Sequence, residues 1–232
     1  MIAKLPRWAW FGGIVLAFIA GMINAVGYLG FRHQAITHMT GTTSLLGIVA
    51  VTGDMAGLLH FGATLLAFVA GCAISGYIIG SSTLRLGRRY GVALTIESAM
   101  LFIAVPLLHR HSDIGLWLAA AASGLQNAMA ASYSGAVVRT SHVSGIVTDL
   151  GTFLGQWLRG EGADARRVRL YLALFTAFLA GGCASALTYP WCQERTLIFP
   201  ALLTGFTGVA YFAYRRRQTV TVGQEAGGGA RL

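Results

Sequence analysis

The residues in this chain that could do chemistry occur in two polar runs of similar composition, ITHMTGTTSLLG (Ile36–Gly47) and TSHVSGIVTDLG (Thr140–Gly151). In each run a histidine is followed by a hydroxyl residue and a glycine: His38, Thr40 and Gly41 in the first, and His142, Ser144 and Gly145 in the second. Both runs lead into a short apolar stretch.

Hydroxyl residues cap helix N-termini, and glycine lets another group approach the exposed amides. We therefore predict two short helices whose N-termini carry partial positive charge and bind a small polar or anionic solute, or water. The alternative is that these residues only cap the helices, and the two roles are compatible.

Two asparagines, Asn24 and Asn127, occupy matching positions late in the long apolar segments that precede the two runs. Asparagine within a membrane span commonly hydrogen-bonds to a neighbouring helix and stabilises the packing by about 1 kcal/mol. Because both residues precede the polar runs, they are also candidates for lining the same site.

His38 and His142 could carry protons or bind a metal ion. No cluster of cysteines or carboxylates in the sequence completes a ligand set around them. We therefore predict no metal site and no cofactor, and keep both histidines as secondary candidates for the solute site.

Asp149 is the most informative carboxylate, and the duplication does not explain it, because its counterpart in the first run is Leu45. An acidic residue in a short apolar helix within a membrane is a functional candidate, and it could couple proton movement to transport. The alternatives are an ion pair with Arg139 or a position in water at the surface.

These residues must be positioned by helices that cross a membrane. The chain is 55% hydrophobic and 11% charged, with a mean hydropathy of +0.64, whereas soluble domains carry about 25% charged residues. Six apolar segments approach or reach the roughly 20 residues that a helix needs to cross a bilayer: Trp8–Gly30, Phe61–Ser82, Val92–Leu108, Ile114–Val138, Leu170–Pro190 and Leu197–Tyr214. The net charge of +9 then reflects basic loops that orient the protein in the membrane, and we predict no nucleic-acid partner.

The two halves of the chain form an internal repeat, which we place at residues 8–108 and 114–214 of one membrane domain, 1–230. GMINA (Gly21–Ala25) matches GLQNA (Gly124–Ala128) at an offset of 103 residues, and His38 and Gly47 match His142 and Gly151 at 104. Further on, AFVAGCAISG at 67–76 resembles AFLAGGCASA at 177–186.

The short segments Thr42–Thr52 and Ile146–Leu158 are of a length more typical of re-entrant or buried helices than of spans. If they do not cross and the N-terminus is cytoplasmic, only Arg32, Arg110 and Arg195 of the 17 basic residues lie outside. If both cross, six of the 17 lie outside, which the positive-inside rule disfavours. We therefore predict six spans, two inverted three-span repeats, and cytoplasmic N- and C-termini with a disordered tail at 215–232. Eight spans would give parallel repeats.

The repeated blocks resemble the YoaK family of bacterial membrane proteins, a domain-of-unknown-function family, over about residues 10–215. The resemblance implies an integral inner-membrane protein without an established activity. Members usually read Met-Thr-Gly-Asn at the first polar run and often Val-Asp-Ala in the helix before it. This chain has Thr42 in place of that asparagine and Asn24 in place of that aspartate, so a proton function of the family aspartate would not carry over.

From these observations we predict an all-α polytopic protein of the bacterial inner membrane, in contact with the lipid bilayer and compatible with a homo-oligomer. Its predicted function is transporter or channel for a small polar or anionic solute, at the interface of the two repeats. The alternative is a structural or regulatory membrane protein that binds lipid or a partner helix through glycine-rich helix faces. We do not expect an enzyme, because Ser134-Gly135 lacks the preceding glycine of a nucleophile motif and Ser141-His142 are only neighbours in sequence.

Overall fold

The structure, a computed structural model, describes residues 7–80, 88–134, 138–162 and 164–210. Within these ranges the ordered elements are α-helices and one 3₁₀ turn, which confirms the predicted all-α class. The elements are α1 (Arg7–Leu29), α2 (Met39–Thr52), α3 (Met55–Ile79), α4 (Arg88–His109), α5 (Asp113–Ser134), α6 (Val143–Leu158), α7 (Ala165–Cys192), the 3₁₀ turn Gln193–Leu197 and α8 (198–210). The predicted tail at 215–232 lies outside the described residues.

Four helical stretches of the described chain are long and apolar enough to cross a membrane: Trp8–Leu29, Met55–Ile79, Arg89–His109 and Ala165–Ala210. The last of them contains α7, the 3₁₀ turn and α8. These helices indicate a membrane protein.

The fifth helix, α5, is not one of those four stretches, although the sequence predicts a span there. Its central residues are small or polar, and Ser123 and Gln126 are buried inside the protein. A helix enclosed by other helices does not need a continuous apolar surface, because its polar side chains do not face lipid.

Each half of the chain packs its long helices against those of the other half. α1 lies against α7, and α3 lies against α5. A Cβ atom added to Gly21 would overlap the carbonyl oxygen of Phe178, and one added to its counterpart Gly124 would overlap that of Phe68. The helices approach this closely only because glycine has no side chain.

A second pair of matched glycines makes the reciprocal contacts: Gly71 faces the backbone of Ala121, and Gly181 faces the backbone of Phe18. The contacting faces of α3 and α7 are therefore occupied within the chain. A partner helix or lipid could not bind at Gly71 or Gly181 without displacing α5 or α1.

Contacts along the helices give their directions. His60 of α3 and Asp113 of α5 lie together near the starts of their helices, so α3 and α5 run parallel. Arg166 at the start of α7 lies over the Trp10 ring near the start of α1, so α1 and α7 run parallel as well. Because Arg32, just after α1, bonds to Asp113 at the start of α5, α1 and α5 run in opposite directions.

The two short helices start inside the helix bundle and run outward toward opposite ends. Along α2, Leu46 and Val49 lie beside Gly62 and Gly57 of α3, so α2 runs antiparallel to α3. Its first turn reaches Phe68, near the middle of α3. The equivalent α6 stacks Phe153 on Tyr171 of α7 and begins beside Phe178. Each helix begins three residues earlier than the apolar pattern predicts, at Met39 and Val143.

Candidate functional site: a cavity between two helix N-termini

The chain between α1 and α2 turns back along α1 and places the start of α2 beside Asn24. The backbone N–H of Gln34 donates a hydrogen bond to the backbone carbonyl of Gly27. Asn24 Oδ1 accepts hydrogen bonds from the backbone N–H of Thr37 at 3.0 Å and from its hydroxyl at 2.9 Å. Asn24 thus fixes the residue that precedes the first histidine.

The residues that flank the helix starts are the two histidines, not the hydroxyl residues. His38 and His142 are the N-cap residues of α2 and α6, and neither side chain caps the helix by a hydrogen bond. Thr40 and Ser144 lie one residue inside their helices. The prediction that these hydroxyls cap the helices is therefore wrong, because each helix begins before them.

The glycines of the two runs make room for the histidine rings. A Cβ atom on Gly41 would lie 2.5 Å from Cδ2 of His38, and one on Gly145 would overlap the ring of His142. The rings therefore fold over the first turns of α2 and α6. This arrangement explains why both runs carry a glycine three residues after the histidine.

A cavity of about 470 Å³ lies between the two helix starts. Most of its lining residues are matched between the two halves: Asn24 and Asn127, His38 and His142, Met39 and Val143, Thr40 and Ser144, Phe68 and Phe178, with Thr37 and Ser141. Tyr28 and Arg139 also line it. Two segments about a hundred residues apart in sequence therefore meet at one site.

The electrostatics of the cavity favour negative charge. Arg139 is the formally charged residue among those lining it, and no carboxylate lines it within the described chain. The N-termini of α2 and α6 both face the cavity and contribute partial positive charge. Unfilled amides at a helix N-terminus bind anions readily.

Six of the predicted site residues line this cavity: Asn24, Thr40, Asn127 and Ser144, with the secondary candidates His38 and His142. Gly41 and Gly145 lie beneath the histidine rings. Their common location is a finding, whereas their part in solute binding stays a prediction.

Asp149 is not among the residues that line the cavity. Its side chain is exposed, and its carboxylate interacts with Tyr171 of α7. The reason is that α6 is covered on one side only, with Ile146 as its buried residue. An ion pair between Asp149 and Arg139 does not form among the described residues.

Sequence reasoning missed a second polar group, which we call the polar chain: Arg32, Asp113, His60, Gln34 and Thr42. Arg32 donates to both carboxylate oxygens of Asp113, at 2.7 and 2.5 Å. His60 Nδ1 lies 3.4 Å from Asp113, and His60 Nε2 lies 2.6 Å from Gln34 Oε1. Gln34 Nε2 donates to the Thr42 hydroxyl at 3.3 Å, which donates to the His38 carbonyl at 3.3 Å. The polar chain therefore runs from the end of the bundle to the N-cap residue of α2.

The outer end of the polar chain is partly exposed, with 45% of the Arg32 side chain and 25% of the Asp113 side chain accessible. Hydrogen bonds from Arg32 hold the pKa of the Asp113 carboxyl below its ordinary value, although partial burial acts in the opposite direction. The same hydrogen bonds raise the pKa of Arg32. Asp113 is therefore a charged carboxylate at neutral pH.

The described residues contain no group of three histidine, cysteine or acidic side chains close enough to hold a metal ion. The three cysteines, Cys72, Cys183 and Cys192, are free thiols.

A family model described as "Protein of unknown function (DUF1275)" matches residues 12–210. The chain belongs to the DUF1275 family. The match is consistent with the resemblance to the YoaK family and covers both polar runs and all the cavity-lining residues. Neither curated proteins nor solved structures yield a match. Membership of DUF1275 thus assigns the family and carries no activity with it.

Proposed function

We propose that this DUF1275 protein is a transporter or channel that moves a small polar or anionic solute through the cavity between α2 and α6. The observation that carries the proposal is the cavity itself, into which two helix N-termini and Arg139 direct positive charge. Its volume of about 470 Å³ falls in the range of small-molecule sites.

We further propose that α1, α3, α4, α5, α7 and α8 cross the bacterial inner membrane and that α2 and α6 are re-entrant. The opposite directions of α1 and α5 support two inverted repeats. Arg32 and Arg110 lie at the end of the bundle where α1 ends. Arg195 lies there too, because it follows the end of α7, whereas a larger set lies at the end where α1 begins: Arg159, Arg166, Arg167 and Arg169. The positive-inside rule then places the second end, with both termini, in the cytoplasm.

Inverted repeats whose broken helices meet at the middle are the usual architecture of secondary transporters, which bind solute between the repeats. Non-helical backbone within a membrane is stable only where it is buried in protein or lines a wet cavity. The connections at 30–38 and 138–142 satisfy this requirement, since Gln34 and Val138 are buried and His38 and His142 line the cavity.

The membrane arrangement is tested by thiol labelling of single cysteines in a background without the native cysteines. With intact cells and an impermeant reagent, we expect labelling of Met55→Cys and Arg110→Cys and protection of Glu161→Cys. Eight spans would instead protect all three positions. Met55, Arg110 and Glu161 are exposed, so a lack of labelling would not reflect burial in the protein.

Transport is tested with purified protein in liposomes and the probes chloride, formate, acetate and phosphate, with glycerol as a neutral probe. We expect flux of at least one anion above that of empty liposomes, and a decrease of about tenfold in Arg139→Gln, the effect of losing one ionic contact. Arg159→Gln is the matched control, because Arg159 is exposed after α6 and does not line the cavity. No flux above background with any of the five probes would contradict the proposal.

A further inference from the structure

His60 is a buried histidine that the transport proposal leaves without a role. Only 5% of the residue is exposed, and it lies within α3 against α5 and the connection that leads to α2. Its Nδ1 atom is buried and has no hydrogen-bond partner. A buried polar atom without a partner is unfavourable, so such an atom calls for an explanation.

The hydrogen bonds around His60 define its neutral form. Gln34 Nε2 donates to Thr42, so its Oε1 is the atom that faces His60 Nε2 at 2.6 Å. Because an amide oxygen only accepts, Nε2 of His60 carries the hydrogen. The Nδ1 lone pair therefore points toward the Asp113 carboxylate at 3.4 Å, and two acceptors face each other. One proton between them would satisfy both.

The fold does not require these polar residues. The positions in the second half that match Gln34, Thr42 and His60 are Val138, Ile146 and Leu170. All three are buried, at 0%, 7% and 0% exposure, as are the residues they match. The same packing is thus made once with polar side chains and once with apolar ones, so the polar set has a purpose other than packing.

We propose that Nδ1 of His60 is a proton-binding site and that proton binding there is linked to the position of the α2 N-terminus in the cavity. The proton comes from water at the exposed end of the polar chain, beside Asp113. On binding, Nδ1 becomes a donor to Asp113 Oδ2 while Nε2 continues to donate to Gln34. The imidazolium then carries one positive charge, and no other bond forms or breaks.

The charged groups that act on His60 are Asp113 from α5 and Arg32 from the α1–α2 connection. α2 contains no titratable side chain, and the described part of α4 adds no charge that acts on His60. Asp113 attracts the proton, whereas Arg32 repels it and competes for the same carboxylate. Proton binding therefore redistributes the bonds of Asp113 between Arg32 and His60.

Proton binding at His60 can influence the cavity through a series of hydrogen bonds in which each donor and acceptor is defined. His60 holds Gln34, Gln34 holds Thr42, and Thr42 holds the carbonyl of His38, which lines the cavity. A ligand shifts a conformational equilibrium when it binds one of two states more tightly. The role in transport rests on the function proposed above, whereas proton binding by His60 does not.

Proton binding is measured by NMR of the full-length protein in lipid nanodiscs, with ¹³Cε1-labelled histidine and a titration from about pH 4 to pH 8. The His60 signal is assigned as the one lost in His60→Leu, the residue that the second half carries at this position. We expect that signal to titrate, and to titrate at lower pH in Asp113→Asn, which lacks the carboxylate charge. A His60 signal that stays constant across this range would overturn the proposal, whatever the flux measurements give.

Linkage to the cavity is measured with single cysteines at Thr40 and at its counterpart Ser144, in a background without the native cysteines. The ratio of their reaction rates with a neutral thiol reagent cancels the common effect of pH on thiols. We expect this ratio to change by about threefold or more across the His60 titration and to be constant in His60→Leu. A constant ratio in the single-cysteine proteins that retain His60 would overturn the linkage. The same pH dependence in the proteins with His60→Leu would also overturn it. A titrating His60 in a protein without flux would contradict the transport function alone.

Discussion

The two halves of this protein share their helix packing and differ in the polar side chains that they place on it. The matched glycines Gly71 and Gly181 make the same contacts with the opposite half. At the positions around the start of the short helix, the first half has Gln34, Thr42 and His60, where the second half is apolar. The internal repeat thus provides its own control, because a polar set found in only one half is not required by the packing that both halves share.

The two asparagines differ in the same way. Asn24 accepts two hydrogen bonds from Thr37, whereas Oδ1 of Asn127 is buried without a hydrogen-bond partner. Ser141, which corresponds to Thr37, lines the cavity and makes no such bond to Asn127 in the structure. The connection to α2 is therefore tied to α1 in the first half, while the equivalent tie is open in the second half.

The largest effect is expected where the halves agree. Gly71→Ala and Gly181→Ala should each destabilise the protein by about 1–3 kcal/mol, because the new methyl group would overlap a backbone carbonyl of the facing helix. The effect is measured by heating samples to a series of temperatures and determining by size-exclusion chromatography how much monodisperse folded protein remains at each.

The controls are Gly47→Ala and Gly151→Ala, a second matched pair with open space around the glycine. These should leave the melting temperature unchanged or raise it, since alanine favours helix over glycine by about 1 kcal/mol. Equal effects at the packed and open pairs would show that the close helix contacts do not exist.

The second prediction removes the difference between the halves. The triple variant Gln34→Val, Thr42→Ile, His60→Leu gives the first half the apolar set of the second, and we expect its stability to lie within about 1 kcal/mol of the wild type. His60→Leu alone should be less stable than the triple variant, because it leaves Gln34 Oε1 buried without its donor. A chemical-denaturation series in mild detergent compares them.

The reverse exchange, Leu170→His, should destabilise the protein by about 2 kcal/mol or more, because Val138 and Ile146 offer no hydrogen-bond partner to a buried imidazole. If Leu170→His were tolerated as well as the triple variant, polar and apolar residues would be interchangeable at these positions. The polar side chains of the first half would then not be evidence of a role other than packing.

The third prediction compares the asparagines. Asn24→Ala removes the acceptor of two hydrogen bonds and should lower the free energy of unfolding by about 1–3 kcal/mol. Asn127→Ala removes an oxygen that has no partner, so it should lower stability by less than Asn24→Ala. The same thermal assay decides the order, and the opposite order would indicate that Asn127 holds its helix as Asn24 does.

Much of the fold could be predicted from the sequence, because long apolar segments, their spacing and the repeated blocks depend on residues close together in the chain. The meeting of Asn24, Thr40, Asn127 and Ser144 at one cavity followed from the repeat. The predicted N-cap residues lie two positions after the observed ones, because a hydroxyl residue before an apolar run is a common N-cap and a histidine is a rare one.

The polar chain was missed because its contacts join residues far apart in sequence: Gln34 and His60 are separated by 26 positions, and Arg32 and Asp113 by 81. A signal was present in the sequence nevertheless. Aligning the halves sets Gln34 and Thr42 against Val138 and Ile146 at an offset of 104 residues, and His60 against Leu170 at the offset of 110 that the later blocks share. These three polar-to-apolar differences mark the first half. For Asp149 the sequence left a functional role and a surface position open, because nothing local shows that α6 is covered on one side only.

The smallest effect concerns the ion pair at the outer end of the polar chain, which joins Arg32 of the first half to Asp113 at the start of α5. Because hydrogen bonds from Arg32 hold the pKa of Asp113 below its unfolded value, the pair stabilises the protein above the unfolded pKa, and this contribution is lost as the pH falls through the folded pKa. Both side chains are partly exposed, so we expect no more than about 1 kcal/mol. To separate this effect from the titration of His60, the comparison is made between His60→Leu and the double variant His60→Leu, Asp113→Asn. Their melting temperatures at pH 7 and near pH 3, in detergent at fixed ionic strength, should differ at pH 7 by an amount that shrinks in acid. A difference that grew in acid would mean that Asp113 is held in its protonated form, and the site for a proton at His60 would lose the negative charge that attracts it.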